Sequence, residues 1–386
     1  MTTQDYLKTI SKSKKPFIIY KSNKGFDLYT NFSKKIILTN KNIHSFINRI
    51  SKNKSKSKNT DLYIGFFGYE ILNNLIGVKL PKQKGLKFPK GIFYKPETKV
   101  ILKKTLNYKR KSNRLNSDFK ININKKSYKK IFDKFKKKIK AGQTYQIKIC
   151  TKYRNSSRID PLDFYCRLME SNMAPEAFMI KDKNYSIISC SPENLITKVK
   201  NYISTKPIAG TLKKSKKLDK AKALAFFSKN VKETKEHNMI VDMERSDLSK
   251  ICEPGSVKII KKKTVEEYKD LYHYVSLIAG KLKKKVSSLE IIKAMMPGGS
   301  VIGCPKISTL NLLNTQEKES RNIYTGSFGY IKFNGDMRFN IIIRSILDYQ
   351  NRSEISVASG VVIDSNSGHE FNENYIKAKA LMDLYK

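Results

Sequence analysis

The amino-acid sequence predicts an α+β fold built on antiparallel sheets. Strand patterns and helix patterns follow one another in irregular order along the chain. Because this order lacks the regular strand–helix alternation of a nucleotide-binding fold, parallel βαβ units are not expected. The chain has 386 residues, of which 39% are hydrophobic and 10% aromatic. It is therefore long enough to bury a large core, in one large domain or two ordinary ones.

The spacing of apolar residues predicts the individual elements. Those from Tyr128 to Ile139 recur at helical spacing, and Gly142 follows at the position where a helix ends. In the next segment Gln146 alternates with isoleucines, so it points to the opposite face of a strand. Further strands are expected at about 62–69, 185–189, 194–198, 326–333, 341–347 and 355–362, long helices at about 218–248 and 370–385, and a solvated loop at 51–58.

The formal net charge of +45 does not by itself predict a function. Of the 78 basic residues, 11 are arginine and 67 lysine, and the lysines are spread along the chain together with isoleucine and asparagine. These three residues have codons rich in A and T. A nucleic-acid reader would concentrate arginine and aromatic residues in a patch, so no specific nucleic-acid partner is expected.

The cysteines predict neither a disulfide framework nor a zinc site. They are odd in number, lie far apart and never form a C-x-x-C motif. This usage fits the reducing cytoplasm, and the apolar run 16–20 is far too short for a spanning helix, so no membrane partner is expected. The five are Cys150, Cys166, Cys190, Cys252 and Cys304, the last expected to pack rather than to act as a nucleophile.

Two predicted helices each carry a pair of glutamates three residues apart, Glu233 with Glu236 and Glu370 with Glu373. This spacing places each pair on one helical face. Mg²⁺ prefers a few carboxylates, water and the oxygens of an anionic substrate, so two such faces would suit it if they converged. The same spacing is also typical of a solvated ion-pair face, for which Lys377 would be the surface partner of Glu373. The spacing leaves both interpretations open.

Three glycine-bearing segments, at 207–211, 297–306 and 358–362, could bring backbone N–H groups close to an anionic ligand. None of them matches the phosphate-binding Walker pattern or a G-x-G-x-x-G after a strand. The sequence also lacks the G-x-S-x-G or G-x-C-x-G elbow of a serine or cysteine hydrolase. These classes of enzyme are therefore not supported.

Taken as an ordered set, the motifs resemble the chorismate-utilising enzymes, which include anthranilate synthase component I, aminodeoxychorismate synthase component I, isochorismate synthase and salicylate synthase. The resemblance implies an antiparallel sandwich with helices packed outside. It further implies a shortened N-terminal region, 1–120, packed on a chorismate-binding catalytic domain, 121–386. The motifs are 141–142 with Gln146, 191–193, 206–211, 233–242, 252–258, His273, 297–306, Tyr324 with Gly326, Arg344 and 370–373.

The resemblance also implies roles for single residues. Glu236 and Glu373 match the ligands of Mg²⁺, with Glu233 and Glu370 as helpers. Glu193 matches the general acid that protonates the departing C4 hydroxyl of chorismate, a role that requires a carboxyl with a raised pKa. The remaining matches are Arg344 and Tyr324 at the substrate's carboxylates, His273 beneath its ring, and Ser300, Lys306, Gly360 and Lys377 around the substrate.

Gln146 separates two branches of this family. Isochorismate and salicylate synthases carry a lysine there as the base that activates water, and an amide cannot remove that proton. Ammonia needs no such base, so amination is favoured. The chain has no glutaminase motif, which implies a separate glutamine amidotransferase subunit or free ammonia.

Two observations in the sequence favour different products. Ala209 stands where many aminodeoxychorismate synthases carry a nucleophilic lysine, which favours anthranilate formation. The segments 172–175, 297–300 and 326–330 look more like aminodeoxychorismate synthases, and these tip the prediction to aminodeoxychorismate. A remote alternative is a basic RNA-binding protein that has lost the chemistry.

Overall fold

The computed structural model describes residues 2–50, 59–81, 84–108, 115–157, 159–215, 217–268 and 271–386. The lysine-rich stretch 51–58, predicted to be a solvated loop, lies outside the described residues. The helices are α1 (Thr3–Lys12), α2 (Ile43–Ile50), α3 (Tyr69–Leu75), α4 (Lys125–Lys140), α5 (Pro161–Ser171), α6 (Lys220–Lys229), α7 (Val231–Ile251), α8 (Ser288–Met295), α9 (Lys306–Gln316) and α10 (Ser367–Met382), with 3₁₀ turns at Gly299–Val301 and Asp383–Tyr385.

Eighteen strands fall within the described residues. They are β1 (Phe17–Ser22), β2 (Gly25–Ile37), β3 (Leu62–Phe67), β4 (Gly91–Leu102), β5 (Lys120–Ile121), β6 (Gln146–Asn155), β7 (Phe178–Lys181), β8 (Tyr185–Ser189), β9 (Asn194–Val199), β10 (Tyr202–Lys206), β11 (Ile208–Lys213), β12 (Lys258–Glu267), β13 (Leu271–Lys281), β14 (Gly303–Cys304), β15 (Ser327–Lys332), β16 (Met337–Asn340), β17 (Ser345–Tyr349) and β18 (Arg352–Val361).

The strands form one continuous antiparallel sheet. Its order runs β6, β18, β17, β8, β7, β1, β2, β4, β3, β15, β16, β9, β10, β13 and β12. The short strands β5 and β14 pair with β6, and β11 lies beside β13. The prediction of an α+β fold with antiparallel sheets is confirmed.

The sheet folds over on itself, so its two halves enclose a central core. Side chains from β1, β7, β8 and β17 of one half pack there against side chains from β3, β4 and β15 of the other. Phe178 of β7 stacks on Phe328 of β15 with 3.7 Å between the ring centroids. The sandwich implied by the family resemblance is therefore formed by one folded sheet.

The outer faces of both halves are covered by helices. Phe17 and Ile19 of β1 face outward under α1 and α5, whereas Ile18 and Tyr20 of the same strand face the central core. Strand side chains alternate between the two faces of a sheet, so both faces of β1 are apolar because both are buried. A second outer cluster lies under α2, α3, α4, α8 and α9, and it includes residues of β6 and β18 as well as of β3, β4 and β15.

Most predicted elements are present, with two corrections. The helix predicted at 218–248 is two helices, because Asn230 ends α6 and its side chain caps α7. The second correction concerns the strand predicted at 341–347, which is wrong over 341–344. β16 ends at Asn340 and β17 begins at Ser345, with a non-strand segment between them. The backbone there must turn, and Arg344 has a φ of +50°.

The N-terminal region shares the sheet with the rest of the chain, since β1 pairs with β7 and β3 pairs with β15. The division into 1–120 and 121–386 stays a prediction. Among the described residues, none of the helices is long and apolar enough to cross a membrane. All five cysteines are free thiols, and four of them are buried.

Candidate active site

The two glutamate pairs lie in the first two turns of α7 and α10. The side chain of Asn230 accepts a hydrogen bond from the backbone N–H of Glu233, at 3.1 Å, and Asn366 caps α10 in the same way. Glu233 and Glu370 stand in the first turns of their helices. Negative side chains are stabilised there by unpaired N–H groups and by the helix dipole. Both helices therefore present carboxylates from their N-terminal ends.

Lys148 of β6 links the carboxylates of the two helices. Its Nζ lies 3.0 Å from Oε1 of Glu236 on α7. Burial lowers the pKa of Lys148, but Glu236, Glu373 and Glu370 together raise it above its ordinary value. Burial alone would raise the pKa of Glu373, but the charges of Lys377 and Lys148 outweigh it, so the pKa lies below its usual range. The glutamates of α7 and α10 thus act on a single ammonium group.

Gln146 completes the surroundings of Glu236. Its Nε2 donates to the same Oε1 atom at 2.7 Å, and the residue is 1% exposed. Burial raises the pKa of Glu236, but the charge of Lys148 and the hydrogen bonds from Lys148 and Gln146 lower it to about 2. The Glu236 carboxylate is therefore ionised at neutral pH.

Gly360 gives these two side chains their space. It pairs with Lys148 across the β6–β18 ladder. A Cβ at position 360 would lie 2.6 Å from Nζ of Lys148 and 2.8 Å from Nε2 of Gln146. Contacts this short are repulsive, so a larger residue would push both donors away from Glu236.

On α10 the two glutamates have different surroundings. Glu370 is 1% exposed, and the ligand atoms of His369, Glu370 and Glu373 lie within 4.8 Å of one another. Glu373 pairs with Lys377 at 2.6 Å, with side-chain exposures of 35% and 39%. The surface ion pair considered from the sequence is present, and it stands at the rim of a buried carboxylate cluster.

Glu193 lies in a separate part of the site, just before β9. It is 5% exposed, and its Oε1 accepts a hydrogen bond of 2.7 Å from the Ser300 hydroxyl. Burial raises the pKa of Glu193 to about 7, although Ser300, the Ile208 N–H, Lys148 and Arg344 oppose the change. A substantial fraction of this carboxyl is therefore protonated at neutral pH.

Arg344 faces Glu193 from the segment between β16 and β17. Burial lowers the pKa of its guanidinium, and the charge of Glu193 partly compensates. Within the described part of the chain, the guanidinium makes no hydrogen bond and has no carboxylate within ion-pair distance. Its backbone is held in the left-handed region, which is uncommon for a residue with a side chain and often found at functional sites. A guanidinium without a carboxylate partner is suited to bind an anion.

His273 lies on β13 opposite Thr211 of β11, whose Oγ1 is 2.9 Å from Nδ1. Burial and the positive charge of Arg344 lower the pKa of His273 to about 3, so the imidazole is neutral at pH 7. Ala209 lies on the same strand as Thr211 and is 5% exposed. The histidine is positioned to exchange hydrogen bonds, not to carry a charge.

The other predicted residues occupy varied places. Tyr324 packs in a small buried cluster beside β18. Glu233 reaches β11, where its Oε2 lies 2.9 Å from the position that a Cβ on Gly210 would take. The Lys306 ammonium pairs with Asp247 at 2.6 Å, with both side chains below 10% exposure. Lys306 is thus engaged by protein groups.

The sequence profile of the chorismate binding enzyme family matches residues 8–383. The chain belongs to this family. It is 35% identical over 250 residues to aminodeoxychorismate synthase component 1 of Bacillus subtilis, covering 64% of this chain and 53% of that protein. It is also 35% identical over 260 residues to anthranilate synthase component 1 of Saccharolobus solfataricus, covering 67% and 62%. The matched regions span less than two thirds of either relative.

Solved structures agree with this family assignment. The chain superposes on anthranilate synthase component I from Streptococcus pneumoniae with a TM-score of 0.77 and 26% identity, covering 95% of this chain and 90% of the other. The menaquinone-specific isochorismate synthase from Escherichia coli gives the same TM-score at 14% identity, which shows the fold alone.

The carboxylate cluster of this family member fits Mg²⁺ in its donor chemistry. Glu236, Glu370 and Glu373 offer hard oxygen atoms, which Mg²⁺ prefers. Glu236 already binds one cation, the Lys148 ammonium. The same carboxylates can balance a metal ion.

Sequence reasoning did not include Lys148 in the site, although the strand pattern contained the necessary signal. Residues 146 and 148 lie on the same face of β6, because side chains two apart on a strand point the same way. Once Gln146 is placed in the site, its neighbour on that face follows.

Proposed function

We propose that this protein is the synthase subunit of an enzyme that aminates chorismate, with Mg²⁺ as cofactor and ammonia from a separate glutamine amidotransferase chain. The proximity of the Arg344 guanidinium to the Glu193 carboxyl carries the proposal. The guanidinium lacks a carboxylate partner within the described ranges, and the nearby carboxyl has a pKa of about 7. Chorismate brings what both groups need, since it has carboxylates and a C4 hydroxyl that must leave.

Arg344 and Tyr324 bind the carboxylates of the substrate, the guanidinium by ionic hydrogen bonds and the phenol as a neutral donor. Burial raises the pKa of Tyr324, so its hydroxyl keeps its proton. Glu193 then transfers a proton to the departing C4 oxygen. The Ser300 hydroxyl, at 2.7 Å, fixes one oxygen of that carboxyl and thereby its direction.

Glu236 and Glu373 hold Mg²⁺, with Glu233 and Glu370 as supporting carboxylates. When bound, the metal supplies positive charge for the ring carboxylate of chorismate. The protein's own contribution is to keep these carboxylates ionised. The low pKa of Glu236, about 2, serves this purpose.

Ammonia is the nucleophile that the site favours over water. The amide of Gln146 donates to Glu236 and cannot accept a proton from water. His273 has a pKa of about 3, too low for an effective base at neutral pH. Unprotonated ammonia attacks without such a base.

We infer that the product is 4-amino-4-deoxychorismate, a precursor of p-aminobenzoate and hence of folate, and that anthranilate, on the way to tryptophan, is the second candidate. Ala209 favours anthranilate because it removes the lysine nucleophile of many aminodeoxychorismate synthases. The segments 172–175, 297–300 and 326–330 favour aminodeoxychorismate because they resemble those of aminodeoxychorismate synthases. Relatives with each name are 35% identical to the chain, so identity does not separate them.

A product assay tests the proposal. Purified protein is incubated with chorismate, Mg²⁺ and ammonium, and anthranilate is followed by its fluorescence. We expect little anthranilate, and p-aminobenzoate only after aminodeoxychorismate lyase is added. Strong anthranilate formation without the lyase selects the second candidate. Unchanged chorismate under all conditions, including added glutamine and amidotransferase, refutes amination.

A further inference from the structure

Lys148 occupies a place in the carboxylate cluster that is unusual for a lysine. Its side chain is 12% exposed, and Nζ sits 3.0 Å from Oε1 of Glu236. The backbone of the same residue is fixed as well, since its carbonyl accepts a hydrogen bond of 3.0 Å from Nη2 of Arg321, which is 1% exposed. The ammonium is therefore held in place by strand β6.

The neighbouring strand leaves space for this ammonium. Gly360 of β18 lies directly across from Lys148 in the ladder, and a Cβ on it would come within 2.6 Å of Nζ. Gln146 lies on the same face of β6, and its Nε2 donates to Oε1 of Glu236 at 2.7 Å. Both donors converge on one carboxylate oxygen.

That oxygen belongs to a residue assigned above to Mg²⁺. An ammonium and a metal ion on the same carboxylate repel each other strongly in a site of low dielectric. Binding of the metal at Glu236 is therefore favoured when the ammonium moves away from Oε1. The protein cation is tethered, so its local concentration is high, and free Mg²⁺ has to compete with it.

We propose that the Lys148 ammonium is a resident counter-cation that stands in for Mg²⁺ in the substrate-free protein and must leave Glu236 before the metal binds there. This inference rests on the proposed function, because it takes Glu236 as a metal ligand. It assigns Lys148 a positioning role that the family resemblance did not include.

The displaced ammonium needs another anion, because a buried charge without a partner is costly. A substrate with two carboxylates supplies one. Binding of substrate therefore favours departure of Lys148 from Glu236, and departure favours metal binding. Linkage makes the effect reciprocal, so metal and substrate each raise the affinity for the other.

Metal binding without turnover tests this inference. Mn²⁺ replaces Mg²⁺ because its free form is counted by electron paramagnetic resonance. Titrations are made on the wild type and on Lys148→Met, with and without chorismate, in ammonia-free buffer. We expect weak binding to the free wild type and binding at least tenfold tighter to Lys148→Met. The gain from chorismate should be clear in the wild type and small in the variant.

Lys152→Met is the matched control. Lys152 lies on the same face of β6, about 13 Å along the strand, and forms a buried ion pair of 2.8 Å with Glu354. Its removal deletes the same charge from the same strand without touching the cluster. Its Mn²⁺ affinity should equal that of the wild type, and an equal gain in both variants would overturn the proposal.

The other outcomes are also decisive. Equal or weaker Mn²⁺ binding by Lys148→Met refutes the inference while leaving the proposed function intact. If the wild type binds Mn²⁺ neither alone nor with chorismate, the proposed metal site fails, and this inference with it. Should Lys148→Met unfold without metal, circular dichroism of this variant and of Lys148→Gln decides: refolding by Mn²⁺ supports a stand-in cation, and failure to refold contradicts it.

Discussion

Removal of one hydroxyl should move the pH dependence of the proposed reaction in a direction fixed by the structure. Ser300 donates a hydrogen bond of 2.7 Å to Glu193, and this bond lowers the pKa of that carboxyl against the effect of burial. A general acid is active in its protonated form, so the rate constant falls as pH rises through its pKa of about 7. Ser300→Ala raises the pKa further, and the alkaline limb should move to higher pH.

The size of the shift follows from the energy of the lost bond. A hydrogen bond to a charged group contributes roughly 1.5–3 kcal/mol, and one pKa unit corresponds to about 1.4 kcal/mol. The hydroxyl also contacts the neutral acid, so only part of this energy distinguishes the two forms. We expect an upward shift of about one pH unit, which increases the variant's relative rate about tenfold on the alkaline side.

The assay measures kcat/KM for chorismate from pH 6 to pH 9, with ammonium in excess. Because the fraction of unprotonated ammonia rises with pH, the informative quantity is the ratio of variant to wild-type rates at each pH. A change in chorismate affinity scales this ratio without changing its slope. Ser276→Ala, which removes a buried hydroxyl bonded to His237 at 2.7 Å, is the control and should give a flat ratio. A flat or falling ratio for Ser300→Ala would refute the role of Glu193.

Three further predictions concern the metal, the nucleophile and the surface charge. Glu236→Gln and Glu373→Gln each remove a ligand charge from the proposed metal site, so we expect loss of Mg²⁺-dependent turnover with an unchanged circular dichroism spectrum. Normal rates in both variants would end the metal assignment. In ammonia-free buffer the wild type should form negligible isochorismate or salicylate, whereas Gln146→Lys should gain a trace detectable by chromatography; substantial water addition by the wild type would mean that the base lies elsewhere. Binding to nucleic acid should be weak and disappear by moderate salt, as expected for non-specific attraction, and a salt-resistant, sequence-selective complex would favour an RNA-binding role.

Where the sequence predicted an element, a local pattern of apolar residues carried the prediction, whereas the strand pairings join segments that are distant in the chain. The helix predicted from Tyr128 is α4, which ends at Lys140 shortly before Gly142 with its φ of +70°. The strand predicted at 185–189 is β8. The strand predicted at 341–347 was wrong because an apolar run hid the point at which the chain leaves the sheet. Ile341 to Ile343 form a continuous apolar run that reads as a strand, yet the chain leaves the sheet there to place Arg344.

The sequence names candidate site residues but not the contacts that each of them makes. The family motifs selected Glu193, and burial gives it the raised pKa that an acid requires. They also selected Lys306 as a substrate-side residue, whereas its ammonium pairs with Asp247. A single sequence shows which residues share a strand face but not which partner each charge finds, because that depends on how distant elements pack. The strand pattern shows that Lys148 shares a face with Gln146, but it does not show that the Lys148 ammonium pairs with Glu236.

The distribution of charge in the site connects these observations. Burying a charge without a partner is costly, and the fold accordingly pairs Glu236 with Lys148 and Glu373 with Lys377. His273 is neutral at pH 7, because burial lowers its pKa to about 3. Arg344 is the exception: it is held by a strained backbone and has no carboxylate partner among the residues that the structure describes. Under the proposed function, a carboxylate of the substrate offsets that cost, so the position of the unpaired guanidinium sets where an anionic substrate gains most from binding.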